Sequence, residues 1–216
     1  MGKSIIEVKN LTKVFGSQTV LDDISLDFQE GQITGLIGRN GSGKTVLLKC
    51  ILGLTTPTKG TIHIAGKQVG KDMDFPEDIG FIINMPGFLP NYSGYMNLKF
   101  LADIRKRVGK KKICEAITMV GLDPTNRKKV GKYSLGMRQR LALAQAMMED
   151  PDILILDEPM NSLDNAGVLE MRQIIAKLAE RGKTIVLTSH NHEDIEMLCQ
   201  SVYEMDHGKI FMRSAE

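Results

Sequence analysis

The sequence predicts an α/β fold: a mostly parallel sheet with flanking helices, an antiparallel β layer beside it, and a helical segment inserted into the chain. Three observations carry this reading. Ile153 to Leu156 (ILIL) and Thr184 to Ser189 (TIVLTS) are short, apolar runs of the kind found in parallel strands covered on both faces. The first thirty residues alternate instead, with Ile6 and Val8, then Ile24, Leu26 and Phe28 separated by Ser25 and Asp27, the period of half-buried antiparallel strands. From about residue 85 to 150 the apolar spacing becomes helical.

In chain order, Gln32 to Gly38 (QITGLIG) reads as a buried strand entering a glycine-rich turn, and Lys44 to Leu52 as the helix after it. Thr61 to Ala65 returns to alternation before a turn at Gly66. After ILIL, a helix carries Val168, Met171, Ile174, Ile175 and Leu178 on one stripe and stops at Gly182. The end, VYEMDHGKIFM, reads as a hairpin turning at His207 and Gly208. No internal repeat, low-complexity tract or linker interrupts this order.

A length of 216 residues suits one domain. Residues 1–84 and 151–216 would form its core with the antiparallel layer, and about 85–150 its helical part. With 28 basic and 26 acidic residues the net charge is +2, which gives no reason to expect a nucleic-acid partner. Cys50, Cys114 and Cys199 form no C-x-x-C pair, so neither a disulfide framework nor a zinc site is indicated, and a reducing compartment fits. No apolar run approaches the roughly 18 residues that cross a bilayer, so a membrane role would be peripheral. The basic runs at 105–112 and 127–132 read as solvated helix faces.

Gly38-Arg39-Asn40-Gly41-Ser42-Gly43-Lys44-Thr45 satisfies G-x-x-x-x-G-K-[ST] between a predicted strand and a predicted helix, the setting the motif requires. Its glycines let successive backbone N–H groups turn toward the β- and γ-phosphates of a nucleotide, and the helix N-terminus adds its positive dipole end. Lys44 supplies a point charge, and the Thr45 hydroxyl is a candidate ligand for magnesium.

ILIL runs directly into Asp157 and Glu158, placing two acids at the C-terminal end of a buried strand, where open α/β sheets bind ligands. Asp157 would hold magnesium through water, and Glu158 would polarise an attacking water. His190 closes a further strand end, where it would donate to the γ-phosphate and hold that water; read alone, it is better explained as a structural histidine, as His63, His192 and His207 are.

Taken in order, GRNGSGKT, the segment Tyr133 to Arg140 (YSLGMRQR), ILILDEP followed by Ser162-Leu163-Asp164, and TSH ending at His190 resemble the ABC ATPase family over nearly the whole chain. The resemblance implies a P-loop NTPase core, ATP and Mg2+ as cofactors, and ATP hydrolysis. It further implies a second ATPase subunit, like or unlike this one, and integral membrane permease subunits on separate chains. The protein would then be cytoplasmic and peripheral on the inner face of the cell membrane.

Within the resemblance, YSLGMRQR corresponds to the family's LSGGQ segment. That puts Ser134 and Gly136 against the γ-phosphate bound by the opposite subunit, while Ser134 is equally suited to cap the following helix. Phe15 matches the aromatic that stacks on adenine, or it is a core residue of the β layer. Ser162 and Asp164 match the loop linking two sites across a dimer, or they start a helix. Asn84 stands where the family usually has glutamine; it keeps the carbonyl that binds magnesium but reaches less far. Leu135 and Met137 replace a glycine and a glutamine of LSGGQ, and Val46 replaces a hydroxyl residue, leaving its backbone N–H for the α-phosphate. IINMPGFLPNYSGYMNL with YSLGMRQRL looks like the branch that exports or confers resistance to bacitracin and lantibiotic peptides. The rival readings are a soluble, non-transport ABC ATPase, which usually carries tandem cassettes or a long coiled coil, and a P-loop kinase, which has no use for YSLGMRQR.

Overall fold

The structure, a computed structural model, describes residues 2–84 and 87–213. The expected start of the helical segment at Met85 therefore lies outside the described residues, as does Pro86 in the segment that follows. Two long strands open the chain, β1 (Ser4–Phe15) and β2 (Gln18–Gln29), paired antiparallel. β3 (Ile33–Ile37), buried at every position, leads through the glycine-rich loop into α1 (Lys44–Ile51). β4 (Lys59–Ile64) and β5 (Lys67–Gln68) then return to the first sheet, ordered β2-β1-β4-β5 and antiparallel throughout.

The chain next supplies β6 (Ile79–Ile82), α2 (Gly94–Arg105), α3 (Lys110–Met119), a 3-10 turn (Val130–Lys132) and α4 (Leu135–Met147). It continues through β7 (Ile153–Asp157), α5 (Asn165–Glu180), β8 (Thr184–Thr188) and α6 (His192–Leu198) to the hairpin β9 (Ser201–Asp206) and β10 (Lys209–Arg213). The second sheet runs β10-β9-β3-β8-β7-β6, parallel everywhere except β10 on β9.

Strand alternation divides the core in two. Leu154, Leu156, Ile185 and Leu187 face one way and pack with α4 and α5. Ile153, Ile155 and Val186 face the other way, toward Leu47, Leu48 and Ile51 of α1 and the inner face of the antiparallel sheet. This double cover is why β7 and β8 are apolar without alternation. The α5 stripe is as the period predicts, and Gly182, at φ +83°, follows the helix and donates its N–H to Ala179 O.

Three features differ from the sequence reading. β6 is an edge strand that no run of alternating residues announces, and α4 lies so close to it that a Cβ on Gly80 would fall 1.9 Å from the Ala146 carbonyl oxygen. The basic runs are helix faces only in part: Lys110, Lys111 and Lys112 stand exposed on the first turn of α3, but the rest does not follow that reading. Arg105 pairs with Glu149 at 2.7 Å and Arg107 with Glu77 and Asp78 at 2.8 and 2.9 Å, while residues 127–132 form a loop and the 3-10 turn. Phe15 is no core residue: it ends β1 with 48% of its surface exposed and the Lys13 ammonium 4.7 Å from its ring centre.

Candidate nucleotide site

β3, β7 and β8 lie side by side, so the loops leaving their C-terminal ends meet in one place. A cleft of about 440 Å3 opens there. The loop after β3 and the first turn of α1 supply Asn40 to Val46, the end of β7 supplies Asp157 and Glu158, and Asn84 follows β6. Gly43, at φ +109°, has its Cα facing Leu21 and the Val20 carbonyl so closely that a Cβ would fall 2.8 and 3.0 Å from them. Only glycine meets both demands, and the turn it makes sets the first amides of α1, which lack intrahelical partners, at the cleft.

Lys44 is buried, and its ammonium donates to the carbonyls of Gly38 at 2.6 Å and Arg39 at 3.2 Å. Its own loop thus holds the charge. Arg39 is exposed and acts through its backbone, whose carbonyl also accepts from Ser42 N at 3.1 Å. The Ser42 hydroxyl is buried without a partner, an arrangement that costs free energy unless something polar arrives.

The acids are joined to this loop and to each other. Thr45 Oγ1 donates to Asp157 Oδ2 at 2.8 Å. Thr188 Oγ1, fully buried at the end of β8, donates to Asp157 Oδ1 at 2.7 Å and accepts from Glu158 N at 2.8 Å. Glu158 sits in the left-handed region at φ 51°, a strained choice for a non-glycine residue of the sort that gathers at functional sites. That kink turns its side chain toward the turn after β8, where Glu158 Oε2 lies 2.9 Å from His190 Nδ1.

Thr45 and Asp157 present hard oxygen donors in contact with one another, the chemistry magnesium takes when one or two protein ligands and substrate phosphates complete its shell. Among the described residues no group of three or more His, Cys, Asp or Glu gathers as a self-sufficient metal site.

Other candidates lie around the cleft. Ser162, at φ 68°, lines it, and Asp164 caps α5 by accepting from Gly167 N at 2.8 Å. Ser134 is exposed and caps α4, accepting from Met137 N at 3.1 Å. Ser134, Gly136 and Phe15 do not line this chain's own cleft, although a Cβ on Gly136 would touch the Ser162 carbonyl at 3.4 Å. The sequence reading missed Thr188, Val20, Asn161 and Gln139, which line or brace the site. Gln139 is buried and reaches from α4 to the Glu158 carbonyl at 3.4 Å. A polar residue closing the apolar strand TIVLT was the one available signal for Thr188.

A larger groove of about 510 Å3 opens elsewhere, beside β6 and α2. It contains none of the motif residues and exposes Phe81, Leu101 and Ile104 between charged side chains.

The profile of the ABC transporter family matches residues 21–161. The ABC transporter ATP-binding protein YybJ of Bacillus subtilis (strain 168) is 49% identical over 206 residues, covering 95% of this chain and 94% of that one. The bacitracin transport ATP-binding protein BcrA of Enterococcus faecalis is 42% identical over 208 residues, covering 95% of this chain and 68% of its own. Among solved structures, the dimeric form of MJ0796, a bacterial ABC transporter cassette, superposes with a TM-score of 0.85 at 25% identity, covering 98% of this chain and all of that one.

Proposed function

This chain belongs to the ABC transporter family, and from that premise we propose that its cleft hydrolyses ATP between two ATPase subunits to drive export through membrane subunits on other chains. It is the ATP-binding, ATP-hydrolysing subunit of such a transporter. The observation that carries the residue assignment is the convergence of Lys44, Thr45, Asp157, Glu158 and His190 at three neighbouring strand ends.

The backbone of residues 38 to 46 and the Ser42 hydroxyl cradle the phosphates, and Lys44 offsets the charge of the β- and γ-phosphoryl oxygens. Thr45 and Asp157, with the Asn84 side-chain carbonyl beside them, would hold magnesium, which supplies further counter-charge. Glu158 orients the attacking water and takes its proton. His190 hydrogen-bonds the γ-phosphate and keeps that water in line, so water and ATP become ADP and inorganic phosphate. Phe15, exposed at the end of β1, is free to stack on adenine.

A dimer completes the site. Ser134 and Gly136 open α4 on an exposed surface, positioned to meet the nucleotide of a second subunit, with Ser162 and Asp164 between the two sites. The MJ0796 cassette dimer supports this arrangement. No helix among the described residues is long and apolar enough to cross a membrane. We assign the contact with the permease to the groove at Phe81, Leu101 and Ile104, which would place the protein at the inner membrane face. The name of BcrA supports a peptide antibiotic of the bacitracin kind as cargo, and favours transport over a soluble ATPase.

Glu158→Gln tests the sandwich. The variant should bind ATP and elute as a dimer in size-exclusion chromatography only when ATP is present. Nucleotide binding without an ATP-dependent dimer would overturn it.

A further inference from the structure

His190 is a loosely packed member of the site. Its side chain is 61% exposed, and its polar contact is the carboxylate of Glu158. An imidazole with so little packing takes its direction from the backbone that carries it. Here that backbone is the short turn between β8 and α6, and one hydroxyl fixes both of its neighbours. Ser189 Oγ accepts from Asn191 N at 3.0 Å and donates to Asp194 Oδ2 at 2.8 Å.

Asp194 is 2% exposed, and its other oxygen is committed as well. Oδ1 accepts from Arg172 Nε at 2.8 Å and from the Nη2 of the same guanidinium. Arg172, 5% exposed on α5, also donates to Glu193 Oε2 at 3.0 Å. The chain of contacts therefore runs from a helix behind the sheet, through a buried charge pair and a serine hydroxyl, to the two peptides on either side of His190.

We propose that the buried Arg172–Asp194 pair and Ser189 are positioning residues for catalysis, holding the 189–191 turn so that His190 points at Glu158 and the γ-phosphate. Stability does not account for the pair: an ion pair taken out of water returns little net free energy, and apolar residues of like volume often replace one without loss. What an apolar pair lacks is direction. With both Asp194 oxygens engaged, the Ser189 hydroxyl has one rotamer in which it can donate to the carboxylate and accept from Asn191.

The proposal rests on the role given to His190 above, and the experiment separates the two. Ser189→Ala should lower kcat on the order of tenfold through misplacement of a catalytic group, with the KM for ATP unchanged. Ser189→Thr, which keeps the hydroxyl, should retain the rate. In a His190→Ala background the Ser189→Ala change should cost nothing further, because it acts only through the ring. The ring-proton resonance of His190 in the nucleotide-free protein should shift in Ser189→Ala while those of His63 and His207 stay in place. A wild-type kcat in Ser189→Ala, an equal loss in both backgrounds, or an unmoved His190 resonance would overturn the positioning role alone. A His190→Ala variant that hydrolyses ATP at the wild-type rate would instead remove the role of His190, leaving the resonance to report on the clamp.

Discussion

A single hydroxyl joins the two acids of the site. Thr188 donates to Asp157 and accepts from the Glu158 amide, so it fixes one carboxylate rotamer and the kinked peptide that follows. Thr188→Val keeps the shape and removes both contacts, leaving a buried carboxylate oxygen and a buried N–H unpaired. That should cost about 1–3 kcal/mol of stability, read as a lower urea midpoint, together with a fall in kcat, and Thr188→Ser should recover most of both. A valine variant with the wild-type midpoint and turnover would refute the brace. Lys44, Thr45, Asp157 and Glu158 were legible in the sequence because each belongs to a pattern whose spacing states its chemistry. Thr188 was not, since its partners lie on a neighbouring strand about thirty residues away and its own strand looks uniformly buried. For Phe15 the sequence left two readings open, adenine stacking and the core of the β layer, and its exposed place at the last position of β1 excludes the core.

At the start of α4 one residue serves a helix and, by our assignment, a neighbour's nucleotide, and the two duties can be parted. Aspartate at position 134 would accept from the Met137 amide as serine does, and its charge suits a helix N-terminus. Ser134→Asp should therefore stay within about 0.5 kcal/mol of the parent in stability. The same charge would repel the γ-phosphate held by the opposite subunit, so in a Glu158→Gln background the ATP-dependent dimer should be lost. Ser134→Ala should do the reverse to the helix, costing about 1 kcal/mol as the cap goes. Persistence of the ATP-dependent dimer in Ser134→Asp would sink the assignment of this segment to the interface. Elements were legible where burial is two-sided, as in β3, β7 and β8, and where a stripe runs long, as in α5. β6 was hidden because it has four residues, exposes Phe81, and owes its place to β7 beside it and α4 above it. Arg105 and Arg107 were misread as solvated for a related reason, since their partners Glu77, Asp78 and Glu149 are remote in sequence.

The cleft is built where both cores meet: α1 belongs to one and α4 to the other, and the strands between them end at the cleft. Ligand bound there touches elements from each, so occupancy should be felt by the whole molecule and not by a local loop. A ligand present at one hundred times its dissociation constant adds about 2.7 kcal/mol to the folded state. In a chain of this size each kcal/mol moves the thermal midpoint by roughly 2–4 °C, so ATP with magnesium should raise it by about 5–10 °C. The shift should shrink in excess chelator, because the Asp157 carboxylate then faces the phosphates without an intervening cation. It should grow with protein concentration if two chains close on the nucleotide, since dimerisation draws on the folded state by mass action. In Lys44→Ala the shift should vanish while the nucleotide-free midpoint stays near that of the parent, the ammonium being tied only to carbonyls of its own loop. An undiminished shift in that variant would mean that the nucleotide binds somewhere other than this cleft, and the assignments at Thr45, Asp157 and Glu158 would fall with Lys44.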